Sequence, residues 1–237
     1  MNRTRPLLSV ATLITLSLPS LAAAATLYSG SNTPSTQGWT NGFIGSVVET
    51  PMSPGVQLNT SANNAYYGGY FNQLPAGTLS KTTGFDVSIT AALLSESGTN
   101  PARSGLSFLI LTSDHTGVEL AVQPTQIFAQ AVGFGSPTGE SVAYNTTPLT
   151  TYDIAISGTT YALSANGTEI LTGPLRDYSA TSTPFGPIYS ATDLLFIGDD
   201  TSSAGGAFQL TSVTVVPEPG SVVLAAVATG AFLRRRR

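Results

Sequence analysis

The stretch TTYDIAISGTTYALSANGTEILTG constrains this chain more than any other. Tyr152, Ile154 and Ile156 alternate with polar or small residues, and Tyr161, Leu163 and Ala165 do the same. A period of two puts each set on one face of a β-strand. Ser157-Gly158 turns the chain once. Asn166-Gly167 turns it again, because both positions tolerate the positive φ of a tight hairpin. Glu169, Ile170 and Leu171 start a third strand, which Gly173-Pro174 ends. The segment is therefore a three-stranded antiparallel meander.

The same signals recur on both sides. In GFDVSITAALL, Phe85, Val87, Ile89 and Ala91 face one way while Asp86, Ser88 and Thr90 face the other, a half-buried antiparallel strand. LSFLILTS is uniformly apolar and suits a strand buried on both faces. HTGVELAVQ and QIFAQAVGF follow, separated at Pro124, and DLLFIGDD and AFQLTSVTVV close the series around the loop TSSAGG. No stretch of ten or more residues between 26 and 216 keeps a helical period without Gly, Pro or β-branched residues interrupting it. Many short strands at this spacing predict an all-β antiparallel sandwich of the jelly-roll type. Residues 26–79 are expected to supply edge strands and an N-terminal strand beside the last one.

Charge separates three regions. The chain has 237 residues and no cysteine, so packing and backbone pairing alone must stabilise it. Between residues 26 and 216 there are three cations, Lys81, Arg103 and Arg176, against twelve acids, a net charge of −9. Such a module has no basic patch for phosphates, which excludes nucleic acid as a partner.

The N-terminus MNRTRPLLSVATLITLSLPSLAAAA begins with Arg3 and Arg5, continues as a short apolar run and ends in alanines. This is the order of a secretory signal peptide over residues 1–25, cut by signal peptidase at Ala24 or Ala25. The alternative is a buried or amphipathic N-terminal helix.

The C-terminus VPEPGSVVLAAVATGAFLRRRR also has three parts. Pro217, Glu218 and Pro219 cannot continue a strand, so the sandwich is expected to stop near Val216. The apolar run over residues 221–233 would form a helix only about 20 Å long, short for a hydrocarbon core of about 30 Å. Arg234, Arg235, Arg236 and Arg237 would hold that end in the cytoplasm. The tail resembles the PEP-CTERM sorting signal of bacterial exopolysaccharide producers, over residues 217–237. The resemblance implies an exported protein, held transiently in the inner membrane and processed by an exosortase near Pro217, Glu218 and Pro219. An ordinary tail anchor is the alternative. The body, over roughly residues 80–216, resembles laminin-G-like and concanavalin-A-like jelly rolls in its meander and in the strand, acidic turn and closing strand of LLFIGDDTSSAGGAFQLTSVTV.

Catalytic chemistry finds little support. His115 is the single histidine and lies in the turn SDHTG, with no G-x-S-x-G elbow in the chain. One histidine and no cysteine make a zinc site untenable. No pair of acids stands out as a glycosidase pair. The expected function is therefore a non-catalytic surface or matrix protein, with binding of the cell's own exopolysaccharide as the alternative. A glycan-acting enzyme on the same scaffold is the weakest reading. Sugar contacts would come from Trp39 in QGWTNG and from Tyr66, Tyr67 and Tyr70 in NNAYYGGYF, unless these rings belong to the core or an edge strand. No cofactor is required. Calcium is the one candidate ion, with Asp193, Asp199 and Asp200 expected around one strand end and Asp177 within approach.

Overall fold

The computed structural model describes residues 23–217, apart from residues 64, 99, 135, 136, 182 and 184. The signal-peptide reading falls almost wholly outside the described residues, as does the tail from Glu218 onward.

In chain order the first eight strands are β1 (Ala25–Tyr28), β2 (Thr40–Ile44), β3 (Val48–Pro51), β4 (Val56–Asn59), β5 (Tyr67–Gln73), β6 (Phe85–Gly98), β7 (Ser107–Leu111) and β8 (Thr116–Gln123). The rest are β9 (Gln126–Gln130), β10 (Pro137–Ala143), β11 (Thr150–Ser157), β12 (Thr160–Ala165), β13 (Thr168–Pro174), β14 (Arg176–Asp177), β15 (Leu194–Asp199) and β16 (Ala204–Pro217). Helix is limited to two 3-10 turns among the described residues, Pro34–Gln37 and Ile188–Ser190. No helix there is long and apolar enough to cross a membrane.

The strands form two antiparallel sheets packed face to face. One runs β13-β12-β11-β6-β16-β4-β3, with β1 also on β16; the other runs β10-β9-β8-β7-β15-β5-β2, with β14 on β8. The meander is the expected one: β11 pairs β12 and β12 pairs β13. Asn166 and Gly167 both take positive φ, 49° and 79°, as the tight turn requires. Residues 26–79 supply the edges β2 and β3 and the strand β1 beside β16, also as expected.

Alternation decides what the core contains. Val87 lies opposite Ile154 and Val215, and Ile89 opposite Tyr152 and Val213, so three neighbouring strands present one apolar face. Phe108, Ile110, Leu120, Leu195 and Ile197 meet that face from the other sheet. Each such side chain contributes about 1.5–3 kcal/mol on burial.

The uniformly apolar strands have a second cover. All residues of β7 and β15 are buried. Their outward side chains Leu109, Leu111, Leu194 and Phe196 pack under Tyr178, Phe185, Ile188 and Tyr189. The segment between β14 and β15 thus closes the outer face of the second sheet.

The last strand ends next to Val216, with Pro217 its final residue, in register with Phe85. A proline is tolerated there because the ladder needs no further donor beyond it.

Candidate functional site

Four connections converge at one end of the sandwich: those following β4, β6, β8 and β15. The connection after β6 crosses the start of β16 almost in contact. A Cβ built on Gly105 would lie 2.3 Å from the backbone of both Gly205 and Gly206, so only glycine fits. This crossing brings Arg103 over the end of β15.

Arg103 is 5 % exposed and is paired with acids. Its Nη2 donates to Asp200 Oδ1 at 2.7 Å, and its Nη1 lies 3.4 Å from Glu119 Oε1. The face of the guanidinium sits 4.0 Å from the centre of the Phe134 ring. Glu119 lies on β8 between Val118 and Leu120 and points away from the inter-sheet core. It is buried because Tyr178 and Tyr189 lie over it: the Tyr178 hydroxyl accepts from the Glu119 N–H at 3.3 Å and donates to the Gln130 carbonyl at 2.8 Å.

The Tyr189 hydroxyl is within hydrogen-bond distance of both Asp200 Oδ2, at 2.6 Å, and Glu119 Oε2. A phenol has one proton and cannot donate to two carboxylates. Burial first, and the charge of Asp200 second, hold Glu119 well above the usual carboxylate range. Glu119 therefore keeps its proton and donates to Tyr189, which donates to Asp200. Asp199 behaves similarly. Burial pushes it up to about 8, against hydrogen bonds from Thr60 and the Thr201 N–H that favour its ionised form. The result is one buried cation beside one buried anion, with two neighbouring acids neutral.

Above this network lies an open groove of about 250 Å³. Tyr67 and Phe134 are its rings, Arg103 and Asp200 its floor, and Asn100 and Ser202 part of its polar rim. A smaller cavity of about 200 Å³ adjoins it, sharing Arg103 and Asn100 and adding Glu96. Together they offer ring faces beside hydroxyl, amide and ion-pair groups, a mixture that fits a polar organic ligand with apolar faces.

Of the residues singled out in the sequence, Tyr67 reaches the groove. On β5 its side chain shares the outward face with Phe71, and its ring meets Phe185 edge-on at 6.1 Å. Tyr70 has the opposite parity and is buried in the inter-sheet core, its hydroxyl donating to Glu49 at 3.0 Å. Trp39 is buried too, with its indole N–H donating to the Leu27 carbonyl at 2.9 Å. Neither ring can present a face to a ligand. Tyr66 is half-buried against Gly45 and does not line the groove.

The three acids considered for calcium do not share a strand end. Asp199 and Asp200 sit at the end of β15 and Asp193 just before its start, about 20 Å away at 3.2–3.4 Å per residue. Asp193 accepts from the Leu79 N–H at 2.7 Å, the Ser113 hydroxyl at 2.8 Å and the Gly77 N–H at 3.2 Å, which anchors the connection after β5. Asp177 is exposed on β14. Among the described residues no group of three or more His, Asp or Glu is placed to hold a metal ion. His115 is an exposed turn residue with φ 67°.

Arg103, Glu119, Tyr178, Tyr189, Phe134 and Asn100 were not marked by sequence. The available signal was scarcity: Arg103 is one of three cations in the module, and Glu119 interrupts an otherwise apolar strand.

No family model matches the chain, and no curated protein matches it. Solved structures do. The chain is similar to a conserved carbohydrate esterase from the Shiga toxin-encoding bacteriophage phi24B, with 15% identity and TM-score 0.56 over 83% of this chain and 100% of the other. It is similar to a protein of unknown function with a galectin-like fold from Bacillus subtilis, with 11% identity and TM-score 0.53 over 84% and 97%. It is also similar to the Crh5 transglycosylase solved in complex with NAG, with 16% identity and TM-score 0.53 over 83% and 85%. What these proteins share with this chain is the fold, an antiparallel two-sheet sandwich of the jelly-roll kind.

Proposed function

We propose that this chain is an exported, non-catalytic surface or matrix protein whose sandwich binds carbohydrate through the groove above Arg103 and Asp200. The observation that carries the reading is the groove itself. Aromatic side chains and polar groups stand together over a floor whose charges are internally neutralised. The jelly-roll neighbours, among them carbohydrate-active proteins, agree with it at the level of fold.

The same geometry favours binding over hydrolysis. Glu119 and Asp200 are buried acids near one another, but the Tyr189 hydroxyl stands between them and bonds to both. It occupies the space where a glycosidic oxygen would have to sit between acid and nucleophile.

Delivery follows from the two ends of the sequence. Residues 1–25 direct export and are cut by signal peptidase. Residues 217–237 hold the chain transiently in the inner membrane until an exosortase cuts near Pro217, Glu218 and Pro219. The product joins the cell surface or its exopolysaccharide.

A glycan array tests the binding. Tyr67→Ala is expected to lose binding without loss of folding, and full binding by this variant argues against the groove. Intact-mass analysis of surface material tests the sorting. It should give a chain ending near residues 217–220, whereas a chain ending at Arg237 would point to a plain anchor.

A further inference from the structure

We infer that the groove takes an uncharged polysaccharide, and that the module excludes uronate, sulfate and phosphate-bearing glycans. The inference rests on the carbohydrate reading above and adds the chemical class.

It follows from where every cation of the module goes. Lys81 pairs with Asp114 at 2.7 Å and donates to Thr116 Oγ1 at 3.0 Å. Arg176 pairs with Glu140 and donates to the Pro174 carbonyl at 2.9 Å. Arg103 pairs with Asp200 and Glu119. These are all the Lys and Arg residues between 26 and 216. His115, the single histidine, is near Asp177: hydrogen bonds from Ser179 first, and His115 after them, hold that carboxyl below its usual range.

Only Arg103 faces the groove, and its charge is already balanced by Asp200, with which an anionic ligand would have to compete. Asp200 is 2 % exposed and Glu119 is 0 % exposed. Displacing Asp200 would leave a buried charge unpaired, the costliest way to break such a pair. The surroundings add repulsion. Twelve acids against three cations give the module a formal net charge of −9, and ten ionised acids against the same three give −7 with Glu119 and Asp199 neutral, so the field opposes the approach of a polyanion. Neutral hydroxyls meet no such barrier and can bond to the outer atoms of a pair already neutral.

The test measures binding of the full chain to dextran, β-1,3-glucan, mannan and galactan. Each is offered neutral and as its carboxymethyl derivative, at low and at high salt. At low salt, at least one neutral polymer should bind, and its carboxymethyl form at least about tenfold more weakly, with the gap narrowing as salt screens the charges. Ser202→Lys, at an exposed rim position, should recover binding of the carboxymethyl form. Equal or tighter binding of a carboxymethyl form by the unmodified chain overturns this inference and leaves the carbohydrate reading standing. A gap unchanged by salt traces the discrimination to substituent bulk and likewise overturns it. Absence of binding to every polymer, neutral and charged, overturns the carbohydrate reading, and the inference with it.

Discussion

Arg103 and Asp200, 97 residues apart in the chain, meet at 2.7 Å where the connection after β6 crosses the end of β15. One pair therefore ties together two connections, β6 to β7 and β15 to β16, that each cross from one sheet to the other. Removing the cation leaves Asp200 buried without its counter-charge. Arg103→Met should destabilise the fold by about 3–5 kcal/mol, measured by urea unfolding. Arg103→Lys should lie between, because an ammonium keeps the charge but loses the fork of donors and the flat contact with Phe134. A loss below about 1 kcal/mol in Arg103→Met would show that the pair is no tie at all.

The neutral acids give the protein a pH dependence of known sign. Asp199 titrates at about 8 when folded, against about 3.9 when unfolded. Between those values the folded chain holds a proton that the unfolded chain has released. The contribution is therefore fully present at low pH and is lost as pH rises through about 8. Glu119, also raised and facing Arg103, Asp200 and Tyr189, acts in the same direction. Asp114, held low by Lys81 first and Thr112 second, acts oppositely but only in strong acid. Melting temperature should fall from pH 5 to pH 9 by the equivalent of more than about 1 kcal/mol. Asp199→Asn and Glu119→Gln, which cannot ionise, should each flatten the curve.

Trp39 and Tyr67 should separate stability from binding. Trp39→Ala empties a core position and should cost about 3–5 kcal/mol, while the folded fraction still binds glycan. Tyr67→Ala should shift the melting point little and abolish binding. The reverse pattern would place the ligand on the far side of the sandwich.

Gly105→Ala tests the crossing. Its Cβ would fall 2.3 Å from two backbone atoms, so a main chain has to move rather than a side chain. A cost of about 1–3 kcal/mol is expected by thermal melting, with weakened glycan binding because Arg103 moves with the loop.

Much of the fold was legible because alternation and turns are local. Val87, Ile89, Tyr152, Ile154, Asn166 and Gly167 announce their strands and hairpin without reference to anything distant. The uniform run at β7 also announced a strand covered twice, though not what covers it. The cover comes from Tyr178, Phe185, Ile188 and Tyr189, in a segment with little periodicity to read. For the same reason the site was largely hidden. Glu119 stands where alternation would put a solvated side chain, and only that distant cover buries it. Tyr67 and Tyr70 looked equivalent in sequence, yet three residues along a strand reverse the face. The aspartates about β15 looked clustered because five intervening residues seem few, but an extended strand turns them into about 20 Å.

The long strand β16 has its first residue, Ala204, at the smaller cavity beside the groove and its last, Pro217, at the opposite pole, where β1 also begins beside Val215. Fourteen residues of strand set that separation at about 40 Å. Both chain exits therefore leave from one pole and the groove opens at the other. If the tail is held in a bilayer, as proposed above, the groove is at the end of the module away from the lipid.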